Sequence, residues 1–174
     1  GRTTLDVDDQ IVYTSEIDPV TGQSIEKPMV VTGQLVDELG SNLTNRNIRV
    51  SYEMQGGTQG VISCQPATTD MDGMFEVTCP LEDVMAGQAR VTVEYNAYDN
   101  NDRYRYKNSS VTRLFPVFSN STLLITQVGP LKQDVDRYET QNGDSYPVLY
   151  LKEHYHVHAM LEQSNGNPLG GKCL

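Results

Sequence analysis

The only three histidines in the chain, His154, His156 and His158, occur together as H-Y-H-V-H. On an extended strand alternate side chains share one face, so imidazoles at this spacing suit a divalent metal such as zinc. A single strand rarely completes a coordination shell. A solvated or subunit-contacting strand face is therefore the expectation, and no metal is assigned. Asp6, Asp8 and Asp9 form an acidic cluster with calcium-ligand chemistry, but a full ligand loop is missing and solvated charge is the simpler account. Asp70 and Asp72 in T-D-M-D-G begin like a calcium loop, yet no glutamate follows at the required distance. That stretch reads as a turn in which Gly73 takes a positive φ. The alternating Tyr104 and Tyr106, with Tyr98 nearby, suit stacking on carbohydrate; packing into a core is the expected role. No G-x-S-x-G, glycine-rich phosphate loop or H-E-x-x-H occurs. The many carboxylates read as acidic surface, Cys64 is not read as a thiol nucleophile, and no enzyme is expected.

Covalent chemistry is better marked. Asn42 (N-L-T), Asn108 (N-S-S) and Asn120 (N-S-T) are N-glycosylation sequons, each in an expected turn or at a strand end where a glycan projects into water. Cys64 and Cys79 bracket S-C-Q-P-A-T-T-D-M-D-G-M-F-E-V-T-C. With a turn at Asp70–Gly73, the two would stand opposite one another in a hairpin, a placement compatible with a disulfide. Closing a loop of about 15 residues contributes about 3 kcal/mol on the chain-entropy account. Cys173 is left unpaired or free for an intermolecular bond.

The elements that must position these groups are strands. From Met29 onward the period of two is strong. Val31, Gly33 and Leu35 alternate with polar residues; so do Ile48, Val50, Tyr52 and Met54, then Phe75, Val77 and Cys79, then Ala89, Val91, Val93, Tyr95 and Ala97. Strands are also expected at Thr3–Val7, Gln10–Thr14 and within Tyr104–Val117, with Val61–Gln65 pairing Met74–Cys79. No segment has a helical period. Short strands punctuated by Gly, Asn and Asp specify an all-β antiparallel sandwich. The chain has 174 residues, 37% of them hydrophobic, and a net charge of −10. That charge opposes nucleic acid as a partner, and no apolar run approaches the roughly 20 residues of a membrane helix. Gly1 in place of a start methionine points to a chain excised from something longer.

Gly33–Leu43 has the pattern G-x-L-x-D-x-x-G-x-x-L, Thr69–Phe75 has T-D-x-D-G-x-F, and Ala86–Tyr95 has A-G-x-x-x-V-x-V-x-Y. Together they resemble the immunoglobulin-like (invasin-type) repeats of prokaryotic, including archaeal, cell-surface and filament proteins. The likeness covers about residues 29–117 and restarts near 120. It implies an immunoglobulin-like sandwich, an extracellular or cell-surface location, and use in stalks, adhesins, surface layers and fibres. The chain departs from antibody domains in having no Trp.

A degraded repeat agrees with this. Leu35, Gly40, Leu43 and Ile48 correspond to Leu161, Gly166, Leu169 and Leu174 at a spacing of 126, and Thr4-Leu5 to Thr122-Leu123 at a spacing of 118. The expected organisation is residues 1–28 as N-terminal strands and linker of the first sandwich, 29–117 as that sandwich, and 118–174 as the first strands of a second. In the second copy Tyr146–Leu161 reads as one long strand, and Val157, aligned with inward Val31, would turn the histidines outward. So short a segment cannot enclose a sandwich core, so chain continuation or strands donated by a neighbouring copy would have to cover it. The function expected is a structural subunit of a glycosylated fibre, sheath or surface layer, polymerised with copies of itself. The alternatives are an adhesin stalk or carbohydrate-binding module and, more remotely, an accessory domain of a secreted hydrolase. N-linked glycans are the only non-protein groups expected, with calcium a weaker option.

Overall fold

A computed structural model describes residues 1–81, 84, 86–130, 138–141, 144–147 and 155–163. Among these the regular elements are fifteen strands and no helix. The first of two units, Gly1–Asn120, holds β1 (Thr3–Val7), β2 (Val12–Tyr13), β3 (Ser15–Ile17), β4 (Ser24–Glu26), β5 (Met29–Asp37) and β6 (Asn47–Met54). It continues with β7 (Ile62–Ser63), β8 (Ala67–Thr68), β9 (Met74–Cys79), β10 (Gly87–Tyr95) and β11 (Ser109–Phe118). One sheet has the order β1-β5-β9; the other runs β2-β11-β10-β6-β7, with β8 also on β6. Within them only β2 runs parallel to its neighbour, β11. β3 and β4 form a separate hairpin.

The alternation in the sequence is what closes this sandwich. Leu5, Val31, Leu35, Phe75 and Val77 from the first sheet meet Ile48, Val50, Tyr52, Val91, Val93, Tyr95 and Phe115 from the second in one buried cluster. Their polar neighbours in each strand face water, as a period of two requires. Gly33 sits mid-strand on β5 between Val7 and Phe75. A Cβ there would lie 2.2 Å from the Asp6 carbonyl oxygen and 2.6 Å from Cζ of Phe75, so the close approach of β1 and the Phe75 ring demands glycine.

Two connections share one device. In Asp37–Ser41, Asp37 Oδ1 accepts the N–H groups of Leu39 and Ser41, each at 2.9 Å. In Asp70–Met74, Asp70 Oδ1 accepts those of Asp72 and Met74 at the same distance. Each turn is completed by a positive-φ glycine, Gly40 or Gly73, the role expected of Gly73 from its sequence.

The expected pairing of Val61–Gln65 with Met74–Cys79 does not occur. β7 and β8 pair with β6, whereas β9 crosses to the other sheet and pairs with β5. The Asp70–Gly73 turn is thus a link between sheets. Cys64 and Cys79 are disulfide-bonded nonetheless, with Cα atoms 4.7 Å apart. The bond joins the residue after β7 to the last of β9, tying one sheet to the other through the core. The pairing stands, and its geometric reason changes.

The second unit, Ser121–Leu174, contributes β12 (Ser121–Pro130), β13 (Tyr138–Gln141), β14 (Asp144–Pro147) and β15 (Tyr155–Gln163). Tyr146 pairs with Glu139 in the β13–β14 hairpin and Leu161 lies in β15; residues 148–154, on which the expected single strand Tyr146–Leu161 depends, lie outside the described residues. β12 and β15 pair antiparallel, Leu123 opposite Leu161 and Ile125 opposite Ala159. In the first unit Leu5 stands opposite Leu35 and Val7 opposite Gly33. The two registers are related by the offsets of 118 and 126 read from the sequence. His154, Gly166, Leu169, Cys173 and Leu174 lie outside the described residues.

Candidate functional site

The β10–β11 connection is the most constructed part of the surface. Asp102 is buried beneath it. Its carboxylate forms an ion pair with the Arg46 guanidinium and accepts the Tyr95 hydroxyl at 2.9 Å. Arg46 in turn donates to the carbonyl of Thr44, anchoring the β5–β6 connection to the same point. The Asp102 carbonyl accepts the N–H groups of Arg105 and Tyr106. Asn100 accepts the N–H of Asn47 and donates to its carbonyl. Burial, reinforced by the bond to Asp102, raises the Tyr95 phenol far above the ordinary tyrosine range, so it serves as a hydrogen-bond donor and not as an acid.

On this base stand Tyr98 and Tyr104, 66% and 85% exposed. The Arg103 guanidinium lies 4.5 Å from the Tyr104 ring centroid and 5.6 Å from that of Tyr98. The core role expected of Tyr104 is therefore corrected, because strand β11 starts only at Ser109 and leaves Tyr104 in the turn. Tyr106 is partly buried against the core. The sequence signal was present in R-Y-R-Y-K, but alternation was read as a strand where the chain makes a turn.

The second notable surface is apolar. In the β12–β15 ribbon Leu123, Ile125 and Val157 share a face and are 53%, 57% and 51% exposed. Val157 stands on the face that corresponds to that of fully buried Val31, but among the described residues no second layer covers it. His158 is on the opposite face and exposed, beside the Met160 position. Separately, within the first unit, Ile11, Tyr13 and Ile17 line a cleft of about 580 Å³ with Lys27, Met29 and Asn120. The Tyr13 ring lies 5.9 Å from that of Phe118.

The remaining candidates are placed plainly. Asp8 accepts the Thr32 hydroxyl, and Asp6 and Asp9 flank Arg113 at 4.0 and 3.8 Å. Among the described residues no three His, Cys, Asp or Glu side chains converge as a metal site. Asp70 spends its Oδ1 on turn N–H groups. Asn42 and Asn108 are exposed and engage their side-chain oxygens, accepting from Gln34 and from the Ala97 N–H. Asn120 is half-buried and donates its Nδ2, the atom a glycan would take, to the Ser15 carbonyl at 3.4 Å. The chain matches no protein-family model, no curated protein and no solved structure.

Proposed function

We propose that this chain is a structural subunit of a glycosylated extracellular fibre, sheath or surface layer, built from tandem immunoglobulin-like sandwiches and associated with copies of itself. The observation that carries this reading is the half-exposed apolar face of Leu123, Ile125 and Val157 on β12–β15. In the first unit the corresponding Leu5, Val7 and Val31 are buried against a second sheet. A two-stranded ribbon is marginal in water by itself, and contiguous apolar surface marks an interaction site. A neighbouring copy that packs donated strands over this face as a second layer would remove that surface from water. The matching registers of β1–β5 and β12–β15 support a tandem repeat. The buried Cys64–Cys79 disulfide fits an oxidising, extracellular setting.

Sedimentation and negative-stain microscopy of the full chain test the reading. The expected result is concentration-dependent assembly that Ile125→Asp abolishes while leaving the melting of the first unit unchanged. Strictly monomeric wild-type protein at high concentration would overturn it.

A further inference from the structure

The turn from Tyr98 to Lys107 gathers a chemistry the sandwich does not use. Arg103, Arg105 and Lys107 place three cations within five residues of a chain whose net charge is −10. Among the described residues, none of the three has a carboxylate within ion-pair distance. By contrast Lys27, Arg46, Arg49, Arg90 and Arg113 are each matched to Asp or Glu. Beside these cations the Tyr98 and Tyr104 rings are turned to water with Arg103 stacked on them. The base beneath is fixed by buried Asp102 and by Asn100, so little ordering remains to oppose binding.

We propose that this turn binds an acidic carbohydrate, a pyranose ring carrying a carboxylate. The sugar's C–H face stacks on an exposed tyrosine ring. Its carboxylate takes the guanidinium N–H edge of Arg103, a planar fork that matches two carboxylate oxygens, with Arg105 and Lys107 adding charge. Single-stranded nucleic acid also stacks on aromatic rings, but it is held in a cationic groove that tracks several phosphates. Among the described residues Lys27, Arg46, Arg49, Arg90 and Arg113 are already neutralised, and, Arg2 apart, the unpaired side-chain cations fall in this one turn. The site stands whether or not the chain polymerises.

Calorimetric titration of the full chain, produced without glycans, tests this with three probes: tetragalacturonate, its fully methyl-esterified form, and a ten-residue oligothymidylate. Tetragalacturonate is expected to bind about tenfold or more tightly than either of the others, the scale of one charge-assisted contact. Tyr104→Ala and Arg103→Gln should each weaken it by about tenfold with the melting temperature unchanged, since both side chains are exposed. Equal binding of the methyl ester, tighter binding of the oligothymidylate, indifference to both substitutions, or no binding of tetragalacturonate at millimolar concentration would each overturn the proposal.

Discussion

Asp102 shows how one side chain can organise a whole end of a sandwich. It is buried, pairs with Arg46 and receives the Tyr95 hydroxyl. Replacing it leaves a guanidinium without its partner and a buried phenol without an acceptor. Asp102→Ala is therefore expected to lower stability by about 3–5 kcal/mol, read from the urea midpoint. Alkali probes the same region. Burial raises the phenols of Tyr95 and Tyr52 above the ordinary value near 10. Below pH 10 they are protonated in both the folded and unfolded chains, and their contribution is fully present. As pH rises past 10 the unfolded chain ionises first, so stability must fall. A pH series of thermal melts should show that decline, and Tyr95→Phe should make it shallower. The sequons also separate at this scale. Expression in a glycosylating host followed by peptide mass spectrometry should find Asn42 and Asn108 occupied ahead of Asn120, whose Nδ2 is engaged with Ser15.

Among the elements, β5 is the hinge of the design: it is the central strand of its sheet and carries Gly33. Gly33→Ala would drive a methyl group into the Asp6 carbonyl and the Phe75 ring. Because backbone on β1 must give way, a loss of about 1–3 kcal/mol or more is expected, measurable by denaturant unfolding. The Asp-glycine turns after β5 and before β9 show why local sequence was a good guide here. An aspartate that accepts two turn N–H groups and a glycine at positive φ need nothing from the rest of the molecule. The β7–β9 region was misread because its alternation is equally compatible with a hairpin. Only the competition for an edge on β6 or on β5 separates the two arrangements.

At the scale of the whole molecule, the buried cluster of the described residues lies within Gly1–Asn120. A fragment of those residues is expected to fold and melt cooperatively at a temperature close to that of the full chain, by calorimetry or circular dichroism. Loss of folding would mean that the second unit is required by the first. The sequence by itself determined the all-β class, the inward residues of the first sandwich and the turn glycines, because alternation and turn chemistry are local properties. Tertiary structure alone decided which sheet each strand joined, that the disulfide spans the sheets, and that Tyr104 stands in water above a buried Asp102. The physical reason is that a period of two assigns each side chain a face, while the partner strand is chosen by what else competes for its edge.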